Sequence, residues 1–255
     1  MKFRPCIDIH NGKVKQLVGG SLKDEGNQAE ENFVSGKSAA EFANLYKKDG
    51  LTGGHIILLN AVSSKYFEAT RQQAVEALKA YPGGMQIGGG VTDENAPHWI
   101  EAGASHVIVT SFVFRDGKIN YENLKKLAAA VGKEHIVLDL SCRKKQGDYY
   151  IVTDRWQTFT EEKVSTELLH TLSAYCDEFL IHGVDVEGKG NGMEEELIKI
   201  ISNFDQTKIT YAGGISSIDD VRKFGELCQG KLDYTIGSAL DLFGGRLPYE
   251  KIKKM

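Results

Sequence analysis

The sequence predicts an α/β fold, a (β/α)8 TIM barrel built from two fused half-barrels. Eight short apolar runs alternate along the 255 residues with stretches of helical periodicity. Apolar strands separated by helices are typical of a parallel sheet that helices cover. The length is close to that of a typical eight-stranded barrel, and no proline- or serine-rich linker divides the chain. We therefore expect residues 1–255 to form a single domain, with a doubly wound open sheet as the alternative fold.

The eight predicted strands have the apolar and β-branched character of buried strands. In chain order they are FRPCIDI, HIILLN, MQIGG, HVIVTS, HIVLDLS, EFLIHGV, KITYAGG and DYTIGS. Amphipathic periodicity predicts helices between several of them, at residues 38–49, 68–80, 120–131 and 218–226. The alternation continues along the whole chain.

The two halves of the chain resemble each other. The pair Gly89-Gly90 follows the third predicted strand, and the pair Gly213-Gly214 follows the seventh. Asp8 ends the first predicted strand, as Asp139 ends the fifth. The glycine pairs are 124 residues apart and the two aspartates 131 residues apart, so a strand, glycine pair, helix and strand recur in the second half, which indicates two half-barrels.

Composition excludes several classes of function. The chain is 41% hydrophobic and 26% charged, which is typical of a folded domain, and no apolar run approaches the roughly 18 residues of a membrane span. The net charge of −4 argues against a nucleic-acid partner. The four cysteines lack metal-ligand spacing, so neither a metal nor a disulfide framework is expected. Without the apolar segment of a secretory signal, the protein is expected to be cytoplasmic; a monomer is also expected.

Two carboxylates are the candidate catalytic groups. Catalytic residues of such barrels lie at the carboxyl ends of strands, and the first and fifth strands face each other. Asp8 and Asp139 would then form a general acid and base across one pocket. The alternative is that each acid caps a turn or pairs with Lys13 or Arg143. Their equivalent positions in the repeat favour catalysis.

The glycine pairs predict two anion sites. Gly213-Gly214 and Gly237-Ser238 follow the last two strands, where barrels commonly bind phosphate. Gly89-Gly90 and Thr110-Ser111 repeat this arrangement in the first half. Glycine lets backbone N–H groups approach the oxygens, and a helix N-terminus favours negative charge. Plain turns are the alternative; two such sites predict a small-molecule substrate with a phosphate at each end.

One apparent phosphate motif does not qualify. The stretch GKS at residues 36–38 has the form of the end of a P-loop. Glu31 stands where the first glycine of that loop should be, and the flanking pattern is not a strand followed by a helix. A P-loop is therefore not predicted.

Five segments carry a family resemblance: PCIDIHNGKVKQL, IGGGV, VLDLS, YAGGIS and IGSAL. They span essentially the whole chain and resemble the ProFAR isomerases of histidine biosynthesis, in particular the eukaryotic branch, which act on phosphoribosylformimino-aminoimidazole-carboxamide ribotide. The resemblance implies a barrel that converts an aminoaldose to an aminoketose by an Amadori rearrangement, without metal or organic cofactor. It implies that Asp8 is the general base and Asp139 the general acid.

The same resemblance singles out other substrate contacts. Trp156 matches a family tryptophan that stacks on the imidazole ring. Gln16, Asn60 and His182 stand where bacterial members commonly carry Arg, an acid and Thr. His182 could orient the opened sugar or shuttle a proton; the alternative is a hydrogen-bonded histidine at a strand end.

Two other functions stay open at this point. The sister cyclase barrel of the same pathway shares the opening at residues 5–8, but it typically has a serine in the seventh-strand motif and an RDGT-like loop after the sixth strand. This chain has AGGIS and VEGKG there. A non-catalytic phosphate-binding barrel would keep the glycine sites without needing both Asp8 and Asp139.

Overall fold

The computed structural model describes residues 1–17, 31–154, 156–186 and 192–255. Most of the VEGKG segment compared above falls outside these ranges. The described strands are, in chain order, β1 (Cys6–His10), β2 (Lys13–Leu17), β3 (Glu31–Val34), β4 (Gly54–Leu58), β5 (Met85–Gly88), β6 (Val107–Val109), β7 (Phe114–Arg115), β8 (Lys118–Ile119), β9 (Ile136–Asp139), β10 (Cys142–Lys145), β11 (Asp148–Thr153), β12 (Thr158–Lys163), β13 (Glu178–His182), β14 (Lys208–Ala212) and β15 (Asp233–Tyr234). The described helices are α1 (Ala39–Lys48), α2 (Phe67–Ala80), α3 (Ala96–Glu101), α4 (Tyr121–Val131), α5 (Thr166–Leu172), α6 (Glu195–Ile201), α7 (Ile218–Leu227) and α8 (Tyr249–Ile252).

The parallel sheet follows chain order, and it contains all eight predicted strands. The order of strands across this sheet is β1, β4, β5, β6, β9, β13, β14 and β15. One α-helix follows each of these strands along the chain. A doubly wound sheet would reverse its order at a switch point, and the described strands show no reversal. The predicted α/β fold with a parallel sheet is confirmed.

The segment directly before β1 pairs with the last parallel strand. Phe3 forms a parallel bridge with Tyr234. The Arg4 N–H donates to the Tyr234 carbonyl at 2.8 Å, and the Tyr234 N–H donates to the Lys2 carbonyl at 3.0 Å. The sheet therefore curls until its two ends share hydrogen bonds, which gives it a barrel-like form.

A polar network fills the amino-terminal end of the sheet. Glu178 is 2% exposed and accepts hydrogen bonds from Thr210 at 2.6 Å and from Gln86 at 2.9 Å. Gln86 lies on β5, which is not adjacent to the strand of Glu178, so these side chains must meet inside the curled sheet. Arg4 pairs with Asp233 at 2.7 Å beside them. Each buried polar group thereby has partners, as such groups require.

The helices begin close to the residues that periodicity predicts. The predicted helix at 38–49 is α1, and the predicted helix at 218–226 is α7. Ser38 caps α1: its hydroxyl accepts the Glu41 N–H at 3.3 Å, and the Glu41 carboxylate accepts the Ser38 N–H at 2.8 Å. The GKS stretch therefore starts a capped helix, as a capping box does, and is not a P-loop.

Three groups of antiparallel strands lie outside the predicted pattern. β2 and β3 extend the sheet beyond β1, β7 pairs with β8, and β10, β11 and β12 form a separate three-stranded sheet. Each group follows the carboxyl end of a parallel strand along the chain: β2 comes after β1, β7 after β6 and β10 after β9. Within the described ranges, no helix has both the length and the apolar character needed to cross a membrane.

Candidate functional site

A cavity of about 700 Å³ lies at the carboxyl ends of the parallel strands. Thirteen of the predicted site residues line it: Asp8, Gln16, Gly89, Gly90, Thr110, Ser111, Asp139, Trp156, His182, Gly213, Gly214, Gly237 and Ser238. Asn60, which the resemblance also singled out, is not among the lining residues; its Nδ2 donates to Asn11 Oδ1 at 2.7 Å. The geometry brings the set together, and the role of each residue stays a prediction. Among the described residues, no three His, Cys, Asp or Glu side chains are grouped as a metal site.

Asp8 is half-buried on β1, opposite Ile57 of β4. The strand continues to His10, so the prediction that Asp8 ends the strand is wrong by two residues. The physical reason is that β2 folds back on β1 and pairs Lys13 with His10, which extends β1 past the parallel sheet. Asp8 still lies near the carboxyl end of the parallel pairing, on the cavity.

Gln16 on β2 holds the Asp8 carboxylate. Its side chain is 3% exposed, and its Nε2 donates to Asp8 Oδ2 at 3.0 Å. A Cβ atom at Gly237 would lie 2.4 Å from Gln16 Oε1, well inside contact distance. Gly237 therefore leaves the space in which Gln16 reaches Asp8.

Asp139 is the last residue of β9, as predicted. The Thr110 hydroxyl donates to its Oδ2 at 3.0 Å, and the Ser141 hydroxyl donates to its Oδ1 at 2.8 Å. Arg143, the basic residue that could have paired with Asp139, instead donates to Asp185 at 2.8 Å. That ion-pair alternative therefore fails for Asp139, and both carboxylate oxygens are bonded to hydroxyl groups.

The surroundings of Asp139 favour its protonated form. Burial raises the pKa of Asp139 above its ordinary value, because a charged carboxylate loses solvation there. The nearby His182 and the hydrogen bonds from Ser141 and Thr110 act in the opposite direction on this pKa but do not cancel the effect of burial. The side chain keeps some surface on the cavity. A carboxyl group in this state can donate a proton.

Trp156 and His182 form an aromatic wall beside Asp139. Their ring centroids are 5.0 Å apart and the rings are nearly perpendicular, at 87°. Trp156 lies between β11 and β12 with φ of 69°, a left-handed conformation that a tryptophan rarely adopts. Its indole Nε1 donates to the Ser141 hydroxyl oxygen at 3.2 Å. The three-stranded sheet thus presents an aromatic side chain to the cavity.

The two glycine turns have the same geometry. Gly89 has φ of 104° and Gly213 has φ of 120°, values that side chains rarely allow. A Cβ atom would lie 2.2 Å from the Leu58 carbonyl oxygen at Gly89, and 2.6 Å from the Gly183 carbonyl oxygen at Gly213. Both turns therefore approach the neighbouring strand as closely as only glycine permits.

At the second predicted anion site, the N-terminus of α7 does not offer its first backbone amides to a ligand, although such amides were expected to bind the anion. Asp220 Oδ2 accepts the N–H groups of Ser216 and Ser217, each at 2.9 Å, so these first amides are already hydrogen-bonded. In the described part of the chain, no acceptor is bonded to the N–H groups of Gly213-Gly214 or Gly237-Ser238. An anion would be held by these four amides rather than by the first amides of the helix.

The sequence reasoning missed Arg246, the one Lys or Arg among the described residues that line the cavity. The Leu247 N–H donates to the Ala239 carbonyl at 2.9 Å, and a Cβ atom at Gly245 would lie 2.1 Å from that oxygen. This tight loop places Arg246 beside the Gly237-Ser238 turn. The GGR stretch that begins six residues after the last predicted strand is the signal that could have revealed it.

Two other missed residues carry hydroxyl groups. Ser141, bonded to Asp139, lies two residues further on, and residues two apart in an extended chain share a face. Thr235 lines the cavity, and its buried Oγ1 has no hydrogen-bond partner among the described residues. Thr235 could therefore bind a polar group of a ligand.

Gly213→Ala is expected to destabilise the protein by at least about 1–3 kcal/mol, because the backbone conformation and the Gly183 carbonyl both exclude a methyl group. Urea denaturation measures this change. Gly50→Ala is the matched control: Gly50 also has a positive φ, of 71°, but nothing lies within 4 Å of its Cβ position. A loss no larger at Gly213 than at Gly50 would show that the close approach is unimportant.

Known proteins of similar sequence cover nearly the whole chain. Residues 2–247 match the model of a family described as histidine biosynthesis protein. The 1-(5-phosphoribosyl)-5-((5-phosphoribosylamino)methylideneamino)imidazole-4-carboxamide isomerase of Medicago truncatula, named as chloroplastic, is 51% identical over 99% of this chain and 80% of the relative. The isomerases of the same name from Neurospora crassa and Saccharomyces cerevisiae are 44% and 42% identical, over 96% of this chain and 94% of each relative. The resemblance identified from the motifs is confirmed.

Proposed function

Because this chain belongs to the histidine biosynthesis protein family, we propose that it is the isomerase that converts the aminoaldose ProFAR to the aminoketose PRFAR. ProFAR is the compound that the name of the relatives describes, an imidazole carboxamide that carries two phosphoribosyl groups. One observation carries the proposal: Asp8 and Asp139 line a single cavity that also contains both glycine turns.

Asp139 begins the reaction as the general acid. Burial raises the pKa of Asp139, so a substantial fraction of it keeps its proton at higher pH than an exposed aspartate does. It gives this proton to the ring oxygen of the substrate's aminoaldose as the C1′–O bond breaks. The nitrogen lone pair forms the C1′=N bond, which yields a protonated Schiff base and an open sugar.

Asp8 continues as the general base. It removes the C2′ proton, and the electron pair of that C–H bond moves to neutralise the iminium, which gives an enolamine. C1′ then takes the proton held by Asp8 and the 2′-hydroxyl gives one to Asp139, so the product is the ketose and both carboxyl groups return to their starting states. The hydrogen bond from Gln16 orients the Asp8 carboxylate for the abstraction, since general bases act only from a fixed geometry.

The two glycine turns fit a substrate with two phosphates. Gly89-Gly90 and Thr110-Ser111 follow the third and fourth parallel strands, and Gly213-Gly214 and Gly237-Ser238 follow the seventh and eighth. In a sheet that curls onto itself, these strands lie on opposite sides. Backbone N–H groups and small hydroxyl side chains would bind one phosphate on each side. Trp156 would stack on the imidazole ring between them.

The likeness of the two turns also supports the proposal of two fused half-barrels. Gly89 and Gly213 each follow a parallel strand with a large positive φ, and each lies against a carbonyl of the neighbouring strand. Asp8 and Asp139 lie on the first strands of the two sets of four. A single domain over 1–255, a monomer and a cytoplasmic location stay predictions; the plant relative is named as chloroplastic.

The test is conversion of ProFAR by the purified protein, followed by ¹H NMR of the C1′ and C2′ protons. We expect PRFAR to form without ammonia or a glutaminase. Consumption of PRFAR with added ammonia would instead identify the sister cyclase activity. Binding of ProFAR without conversion of either compound would identify a non-catalytic barrel.

Arg246→Gln is expected to raise KM about 5- to 10-fold with little change in kcat, because a charge-assisted hydrogen bond to a phosphate remote from the reacting carbons would be lost. Arg246→Lys should recover part of the loss, since it keeps the charge. Arg222→Gln is the control: Arg222 is exposed, pairs with Asp219 on α7 and does not line the cavity. An unchanged KM in Arg246→Gln would exclude Arg246 from substrate binding.

A further inference from the structure

We propose that Ser141 is a positioning residue that links Trp156 to the acid Asp139 and makes Oδ2 the oxygen that gives up the proton. The proposal rests on the function proposed above and deepens it. It concerns the chain of two hydrogen bonds from the Trp156 indole through the Ser141 hydroxyl to Asp139 Oδ1, at 3.2 Å and 2.8 Å.

The chemistry of the indole fixes the direction of this chain. An indole N–H can only donate, so the Ser141 oxygen is the acceptor from Trp156. The single proton of the Ser141 hydroxyl is then free to point at Asp139 Oδ1, the carboxylate oxygen within hydrogen-bond distance. Ser141 is 1% exposed, so no bulk solvent offers its hydroxyl proton another acceptor.

This arrangement distinguishes the two oxygens of Asp139. A proton on Oδ1 would compete with the Ser141 proton for the same short contact and leave a buried donor unpaired, which is costly. A proton on Oδ2 faces Thr110, which is half-buried on the cavity and can turn its hydroxyl away. The acidic proton therefore lies on Oδ2, the oxygen that faces Thr110.

The other titratable groups near Asp139 do not replace this contact. His182 faces it from β13, Cys142 lies on β10, and Asp8 lies on the same cavity. Burial raises the pKa of the Cys142 thiol well above its ordinary value, so this thiol stays neutral. A change at Ser141 leaves all three groups in place, and its effect on Asp139 can be measured separately.

The first measurement is the titration of Asp139 in the ligand-free protein, by ¹³C NMR of aspartate carboxyl groups, with Asp139→Asn to assign the signal. Ser141→Ala should make Asp139 bind its proton about tenfold more tightly, because a hydrogen bond to the charged form is lost. Trp156→Phe should change the affinity in the same direction but less. The double variant should match Ser141→Ala alone, since the indole acts through Ser141.

The second measurement is the pH profile of kcat. In Ser141→Ala, the alkaline limb should move to higher pH, and kcat on the plateau should fall about fivefold, because sharing the proton halves its population on Oδ2 and a more basic Asp139 is also a weaker acid. Matched controls are Ser105→Ala, whose hydroxyl bonds to the Met85 carbonyl, and Trp99→Phe on α3; neither residue lines the cavity.

An unchanged proton affinity of Asp139 in folded Ser141→Ala would overturn the proposal, and so would additive effects of the two substitutions. Trp156→Phe gives an independent test at a partly exposed position if Ser141→Ala does not fold. The titration needs no turnover. A protein without isomerase activity would therefore refute the proposed function and still decide whether Ser141 links Trp156 to Asp139.

Discussion

Asp8→Asn is expected to lower kcat for ProFAR isomerisation by about 10²- to 10⁴-fold, the usual contribution of a general base. The amide cannot take the C2′ proton, but its oxygen can still accept the hydrogen bond from Gln16 Nε2. Substrate binding should therefore change little, and kcat/KM should fall together with kcat. Steady-state kinetics on the purified variant measure both values.

The control for Asp8 is Asp219→Asn, a carboxylate to amide change on α7. Asp219 is exposed, pairs with Arg222 and does not line the cavity, so wild-type kinetics are expected. Circular dichroism should show that both variants fold. A folded Asp8→Asn protein with near-normal kcat would exclude Asp8 as the base.

Asp139→Asn is expected to lose activity by a similar factor and to become more stable at neutral pH, by about 0.5–2 kcal/mol, as often happens when a functional group that destabilises the fold is replaced. Burial raises the pKa of Asp139, so the folded protein is destabilised when this carboxyl ionises. An asparagine of nearly the same shape has no charge to bury.

The pH dependence of this stability difference has a definite sign. A group whose pKa is raised by folding contributes stability that is complete below its unfolded pKa, about 3.9, and lost as the pH rises through the folded value. The two proteins should therefore be closest in stability near pH 4 and diverge towards pH 7. Urea denaturation at several pH values measures the difference. A constant difference across this range would show that Asp139 is not held in its protonated form.

The sequence predicted the parallel strands well because their signal is local. Each of the eight is a short apolar run, and burial on both faces favours such residues whatever the neighbouring strands are. The helices α1 and α7 were predicted nearly to the residue from their amphipathic periodicity, and in the structure a serine followed three positions later by an acid caps the start of each. The antiparallel strands β10 to β12 were missed. β10 and β12 are charged and partly exposed; β11 alone carries a short apolar run, at residues 149–152, and the turn at Gln146 and Gly147 marks the hairpin between β10 and β11.

The site was predicted as a set of positions but not as a set of contacts. The repeat and the family motifs identified Asp8 and Asp139, since both lie at equivalent strand positions. The partners Gln16 and Ser141 depend on side-chain distances of about one hydrogen bond, which no spacing along the chain determines. Arg246 reaches the cavity only because a tight loop returns it to the last strand. Residues of this kind become visible once the strands are placed in space.

The packing of Gln16 against Gly237 makes the position of Asp8, the proposed base, depend on the last parallel strand. Gln16 belongs to the second strand, and the space it occupies is bounded by a residue that follows the last parallel strand. A growing or refolding chain can form its early strands long before that boundary exists. Enzyme activity should therefore return only in the last step of refolding, after most secondary structure has formed. The recovery of activity would then measure when the last parallel strand joins the first.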